Sequence, residues 1–294
     1  MEMFNSPYKV INHRKFNTWC KYQKRIDTYG CGCQHNCSYC YAKCLLDFRK
    51  NWDYKNPRVA YISEIIEEIN LLSRKDIVRL GSMTDCFQPI EKTQKVTYQT
   101  IKALNEHKIN YLIVTKSDLV ATDEYVSIYD KKLAHFQITI SATSDEKCLE
   151  YENAPRVSSR IKAIEKLYEC GFDVSVRLSP FMHQWVDLNI LNSIKCDKIL
   201  IEFLKVNHWI KKWFKIDYSE YTLKYGGYEN LQLDKKIELT GKINGFEQKS
   251  VGEYVKNHYE YFMENFNYNK NDCCNLDIKQ TGHFFEPEQM ELQL

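Results

Sequence analysis

Six short runs rich in β-branched residues alternate with amphipathic segments, and this rhythm constrains the fold more than any other feature of the chain. The runs lie at about 26–30, 77–81, 111–115, 136–140, 173–178 and 198–203. Between them, Ile62, Ile65, Ile66, Ile69 and Leu72 follow helical spacing. Residues 93–107, 123–132 and 156–170 read as helices, the last closed by Gly171 as a C-cap, and a further helix is expected from Asp187. Strands separated by helices imply a parallel sheet with helical crossovers. Six units fall short of the eight in a closed barrel. The expected fold is therefore α/β, a partial (β/α)6 TIM-type barrel over about 20–205. Residues 206–294 break the rhythm with Gly226-Gly227, Gly241 and Gly245, then a helix expected over 251–266. The division is a barrel at 1–205 and a C-terminal extension at 206–294 placed to cover its mouth.

Composition excludes several classes. Apolar residues at 44% and charged residues at 27% describe a folding chain. No run approaches eighteen apolar residues, so no membrane-spanning helix is expected. The first residues lack the basic stretch and apolar run of a secretory signal. A net charge of +2 announces no global field for nucleic acid. Twelve cysteines in 294 residues are too few for a disulfide scaffold. The expected compartment is the reducing cytoplasm, where clustered thiols bind metal or react.

One cluster dominates. Cys33, Cys37 and Cys40 form a C-x3-C-x2-C run on the loop after the first strand, with Tyr39 just before the third cysteine. Three thiolates on one loop can hold three irons of a [4Fe–4S] cube and leave the fourth without a protein ligand. An open metal position is where chemistry can occur. The alternative is a structural zinc site completed by Cys31, Cys44 or His35. Zinc sites more often use two separated C-x2-C pairs, and no second pair exists. Cys20, Cys31 and Cys44 flank the triplet and otherwise read as buried thiols.

The triplet resembles the signature of the radical S-adenosylmethionine (SAM) superfamily. Gly30-Cys31-Gly32-Cys33 through Tyr41-Ala42, Thr84-Asp85 with Gln88-Pro89 and Glu91, Thr115-Lys116-Ser117, Ser141-Ala142-Thr143, Ala154-Pro155 with Arg160, and Val176 to Pro180 extend the likeness. Together they resemble the family related to spore photoproduct lyase, a DNA repair photolyase-related group, over about 10–203. Its register is ambiguous between Glu150 and Glu152. The resemblance implies a radical SAM partial barrel with a [4Fe–4S] cluster and SAM as cofactors. The cluster's open iron would chelate SAM, and an electron would cleave the sulfonium to a 5′-deoxyadenosyl radical that removes hydrogen from substrate. It also implies an external electron donor of flavodoxin or ferredoxin type and a nucleic-acid substrate, with no membrane partner.

Carried onto this chain, Thr84 and Ser141 would bond the SAM amino or ribose groups. Lys116 and Arg177 would pair with carboxylate or ribose oxygens, and Tyr39 would lie against the adenine. Asp85 reads equally as a turn or N-cap residue, Arg160 as a structural ion pair, and Glu202 as facing either SAM or solvent. The family's hydrogen-donating cysteine falls at Ser82, whose O–H bond is too strong for that role. Cys86 is the nearest thiol and the candidate catalytic donor, against a plain packing role. His208, Lys211, Lys212 and Lys215, interleaved with Trp209, Trp213 and Phe214, read as core with a solvated lysine face or as a stacking surface for bases. Cys273-Cys274 makes a poor cluster motif, so no second cluster is expected. The functional expectation is a radical SAM enzyme acting on a nucleobase. The alternatives are one acting on a peptide or small metabolite, and a non-catalytic metal protein.

Overall fold

The computed structural model describes residues 11–12, 22, 24–47 and 51–276. Its strands are β1 (Ile11–Asn12), β2 (Arg25–Ile26), β3 (Tyr29–Gly30), β4 (Arg58–Val59), β5 (Ile77–Leu80), β6 (Asn110–Thr115), β7 (Ala134–Ile140), β8 (Asp173–Phe181), β9 (Lys198–Phe203), β10 (Leu223–Tyr225), β11 (Tyr228–Asn230) and β12 (Gln248–Val251). The principal sheet runs β1-β2-β5-β6-β7-β8-β9-β12. Every pairing from β2 to β12 is parallel, and only β1 is antiparallel. This is an open α/β sheet with seven parallel strands, not a closed barrel, in accord with the partial-barrel expectation.

The helices are α1 (Tyr41–Asp47), α2 (Ile62–Ile69), α3 (Glu91–Gln94), α4 (Val96–Glu106), α5 (Asp123–Val126), α6 (Asp145–Leu149), α7 (Val157–Glu169), α8 (Leu188–Asn192), α9 (His208–Trp213), α10 (Leu233–Gly241) and α11 (Lys256–Asn265). Alternate strand residues face opposite ways. Val78, Ile113, Phe136, Ile138, Val176 and Ile201 share one core with the helices, joined by Ile65, Leu104 and Leu167. The other face carries Ile77, Leu112, Val114 and Leu200, covered by Tyr22, Cys274 and Leu276. Among the described residues no helix is long and apolar enough to cross a membrane.

Four differences from the sequence expectation have local causes. The run at 26–30 is two strands, because Asp27 turns aside to accept the Ser82 and Met83 amides, both at 3.0 Å. The helix expected over 93–107 breaks at Lys95, which takes the left-handed conformation at φ +54°. Glu91 then caps α4 by accepting from the Thr97 and Tyr98 amides, each at 2.9 Å. The helix expected over 123–132 ends at Val126 after one turn, and a separate turn follows in which Asp130 Oδ1 accepts the Lys132 amide. Finally, the helix expected from 251 begins at Lys256, and Gln248–Val251 is instead the seventh parallel strand. Its terminal residue is held by Asn267, whose side chain accepts from Val251 N and donates to Val251 O. The sheet thus crosses the expected boundary at 205.

Candidate active site

The cysteine loop is fixed by packing and by hydrogen bonds to three other loops. A Cβ on Gly32 would stand 1.9 Å from the Asp53 carbonyl oxygen, so only glycine fits. The Asp53 amide donates to Cys31 O at 2.8 Å. Gln34 and Gln88 clasp each other's loops: the Gln34 amide donates to Gln88 Oε1 at 2.8 Å, and the Ile90 amide to Gln34 Oε1 at 2.7 Å. Ser38 N donates to Tyr151 O, and Asn153 N to His35 O. Cys20 lies outside the described residues.

Burial pushes the Cys33 thiol up to about 12, with Asp85 adding to the rise. Burial also raises Cys37 and Cys40; for Cys37, Glu152 adds to the rise and Lys116 opposes it. Metal ligands must be deprotonated, so a cation is what these three thiols need to ionise. Among the described residues, only Asp272, Cys273 and Cys274 bring three ligand atoms within 4.8 Å of one another. Cys33, Cys37 and Cys40 do not form such a group. Cys44 does not complete such a site: it is buried on α1 with its sulfur 3.9 Å from Asn207 Oδ1. The donor set, three free thiols on one loop, fits a multi-iron cluster.

Beside the thiols, at the C-terminal ends of β5 to β9, the strand-end residues form linked ion pairs. Asp85 Oδ1 accepts from Thr115 Oγ1 at 2.7 Å and Phe87 N at 2.8 Å, while Oδ2 accepts from Lys116 N at 2.7 Å. Burial alone would raise this carboxyl, but His35 Nδ1 at 3.3 Å and these bonds hold it below the usual carboxylate range. Asp85 is thus the turn residue that joins the cysteine loop to β6. Lys116 Nζ lies 3.5 Å from Glu152 Oε1, 3.4 Å from Ser179 O and 5.5 Å from the Tyr39 ring centre. Burial brings its pKa down to about 8, against the opposing pull of Cys37.

Glu152 is the residue that sequence reasoning left unresolved. Ser141 Oγ donates to its Oε1 at 2.6 Å, and the fully buried Arg160 guanidinium donates to its Oε2. Glu150, its rival in register, is exposed and pairs with Lys147 at 3.0 Å. No local signal marked Glu152, and the Cys148 thiol also lies 3.3 Å from its Oε2. One strand over, Arg177 donates to Gln137 and to Glu202, and Ser179 Oγ donates to Glu202 at 2.8 Å. Glu202 therefore faces Arg177.

Tyr39, Lys116, Ser141 and Glu152 come together, with Arg177 adjacent. Two expected residues do not join them. Thr84 is buried and donates its hydroxyl to Tyr29 O. Cys86 lies in the core at 1% exposure, its sulfur against Gly81, where burial and the nearby Asp85 and Glu91 raise its thiol well above the usual range. That is a packing position.

A shallow recess with essentially no room for a water molecule lies here, lined by Tyr39, Ser141, Cys148, Tyr151, Glu152 and Trp185 among others. Its wall is aromatic. Tyr151 and Trp185 stack at 4.4 Å, and Phe214 meets both edge-on at 4.8 and 5.1 Å and Tyr39 at 5.5 Å. Trp209 and Trp213 are half-buried against the core, with rings 5.7 Å apart, and Lys43 lies 4.5 Å over Trp213.

Residues 28–194 match the sequence profile of the Radical SAM superfamily. An uncharacterized protein of Methanocaldococcus jannaschii is 28% identical over 163 residues, spanning 54% of this chain and 61% of that relative. The fold is similar to a mutant spore photoproduct lyase with bound AdoMet and dinucleoside spore photoproduct. That likeness has a TM-score of 0.58 at 17% identity, covering 82% of this chain and 79% of the lyase. A second structure, the lyase complexed with dinucleoside spore photoproduct, gives 0.59 at 16% identity, covering 84% and 76%.

Proposed function

The chain belongs to the radical SAM superfamily, whose cofactors are a [4Fe–4S] cluster and SAM, and from that membership we propose an enzyme that abstracts hydrogen from a nucleobase in DNA or RNA. The observation that carries the chemistry is the free thiol triplet beside the Lys116–Glu152–Ser141 group. When bound, the cluster and SAM supply a 5′-deoxyadenosyl radical. The rest is the work of this chain's side chains. Cys33, Cys37 and Cys40 would hold the cluster. Lys116, Ser141 and Arg177 would hold polar groups of SAM, with Tyr39 against its adenine and Thr84 bracing the loop through Tyr29. Glu152 and Glu202 fix the two cations in place before SAM arrives. Phe214, Tyr151 and Trp185 exclude water from the recess, which protects a radical from side reactions. Phe214 belongs to the extension, and we read that extension as a cap on the mouth.

The nucleobase assignment is supported by the fold likeness to spore photoproduct lyase and by the lysine-covered aromatics around Trp185 and Trp213. Repair of spore photoproduct itself is not expected. Ser82 stands at the donor position, its hydroxyl 3.4 Å from Arg25, and Cys86 is buried in the core. A flavodoxin- or ferredoxin-like protein would supply the electron. The near-neutral charge favours the second reading, a peptide or small metabolite as substrate. The test is deuterium transfer into 5′-deoxyadenosine from labelled oligonucleotides and labelled peptides, run anaerobically with SAM. Label arriving from an oligonucleotide alone supports the proposal. Label arriving only from peptides overturns it.

A further inference from the structure

We propose that Asp272, Cys273 and Cys274 form a binding site for one zinc-type cation, separate from the Cys33–Cys37–Cys40 loop. Two sulfurs and a carboxylate oxygen lie within 4.8 Å of one another, the spread expected of ligands on a single ion. Thiolate pairs select soft or borderline cations such as zinc, and the carboxylate suits zinc over copper(I). The same closeness argues against a second cube, whose ligands bind separate irons.

The carboxylate is already aimed. Asp272 Oδ1 accepts from Cys274 N at 2.9 Å, and Oδ2 accepts from Tyr22 OH and from Leu276 N at 3.2 Å. Ligating carboxylates are commonly fixed by such outer hydrogen bonds while lone pairs remain for the metal. The surroundings fit a largely buried site. Asp272 and Cys274 are buried, and Cys273 is half-buried. Three protein ligands leave the fourth zinc position to water or another small ligand.

The location gives the site a purpose. Residues 272–276 lie across the sheet face opposite the helices, where Cys274 and Leu276 pack with Ile77, Leu112 and Leu200. Gln137 Nε2 donates to Cys274 O at 3.5 Å, and Lys198 Nζ donates to Asn275 O at 3.2 Å. A bound ion would therefore clamp the chain's C-terminal segment to Tyr22 and to the floor beneath Arg177, whose partner is the same Gln137.

The test is metal analysis of the full chain after anaerobic cluster reconstitution, equilibration with zinc chloride against a competing chelator, and desalting. The wild type is expected to hold about one zinc per chain beside about four irons. The C273S/C274S variant should lose the zinc and keep the iron. Tyr22→Phe and Asp272→Asn, which leave both thiols, should weaken zinc binding about 10- to 100-fold. Zinc retained equally by wild type and C273S/C274S overturns the site, as does unchanged affinity in both milder variants. A fall in iron in C273S/C274S would assign these thiols to a cluster and would equally overturn it.

Discussion

Glu152 balances two cations at once, Lys116 on the open side and Arg160 on the buried side. Removing its charge leaves Arg160 fully buried and unpaired. Glu152→Gln should lose about 3–5 kcal/mol of stability, read as a lower urea midpoint with the slope unchanged. Lys116→Ala and Arg177→Ala act on the ligand instead. Each removes a charged donor, costing about 1.5–3 kcal/mol, or roughly ten- to more than a hundredfold in SAM affinity. Equilibrium dialysis checks this, and unchanged affinity in both removes the assigned roles. Cys86→Ala should leave product yield unchanged, because its sulfur is packed in the core; a loss of product with normal SAM cleavage would restore it as the hydrogen donor. The cysteine run and the strand-end place of Lys116 were legible because each depends on local spacing or on the end of a strand; the roles given them are the proposal above. Glu152 was not, since its partners Ser141 and Arg160 meet it only through the fold.

Among the elements, β7, β8 and β9 are tied on the face opposite the helices by a polar layer. His135 Nδ1 lies 2.6 Å from Asp173 Oδ2, and Lys198 Nζ lies 2.7 Å from Asp173 Oδ1. Burial alone would raise Asp173, but His135 and Lys198 outweigh it and leave the carboxyl below the usual range. A lowered folded pKa contributes stability above the unfolded value near 4, lost as pH falls further. Asp173→Asn should therefore cost about 3–5 kcal/mol at neutral pH and progressively less below about pH 4, by denaturant titration at several pH values. The strands β5 to β9 were legible because each is a β-branched or apolar run between helices. The strand β12 was not, since Gln248, Lys249 and Ser250 carry no apolar run and only pairing with β9 makes them a strand. The break at Lys95 was equally hidden, being a left-handed non-glycine that only Glu91's capping explains.

For the whole molecule, the mouth is narrower than its ligand. Pockets for molecules of SAM's size run about 300–1,000 Å³, and the indentation beside Tyr39 has essentially no such room. With SAM against Tyr39 as proposed, the Tyr151–Trp185 stack and Phe214 are the side chains that would have to move. SAM should therefore change tryptophan emission in the wild type, and Trp185→Phe should remove most of that change while binding persists. SAM cleavage should depend on the thiol triplet and the strand-end group together. The most direct test is chromatographic yield of 5′-deoxyadenosine and methionine from the reconstituted, reduced protein. The wild type should produce both in equal amounts, and the variant with Cys33, Cys37 and Cys40 all changed to Ala should hold no iron and produce neither. Equal 5′-deoxyadenosine from the two proteins, or iron retained by the variant, would contradict the account.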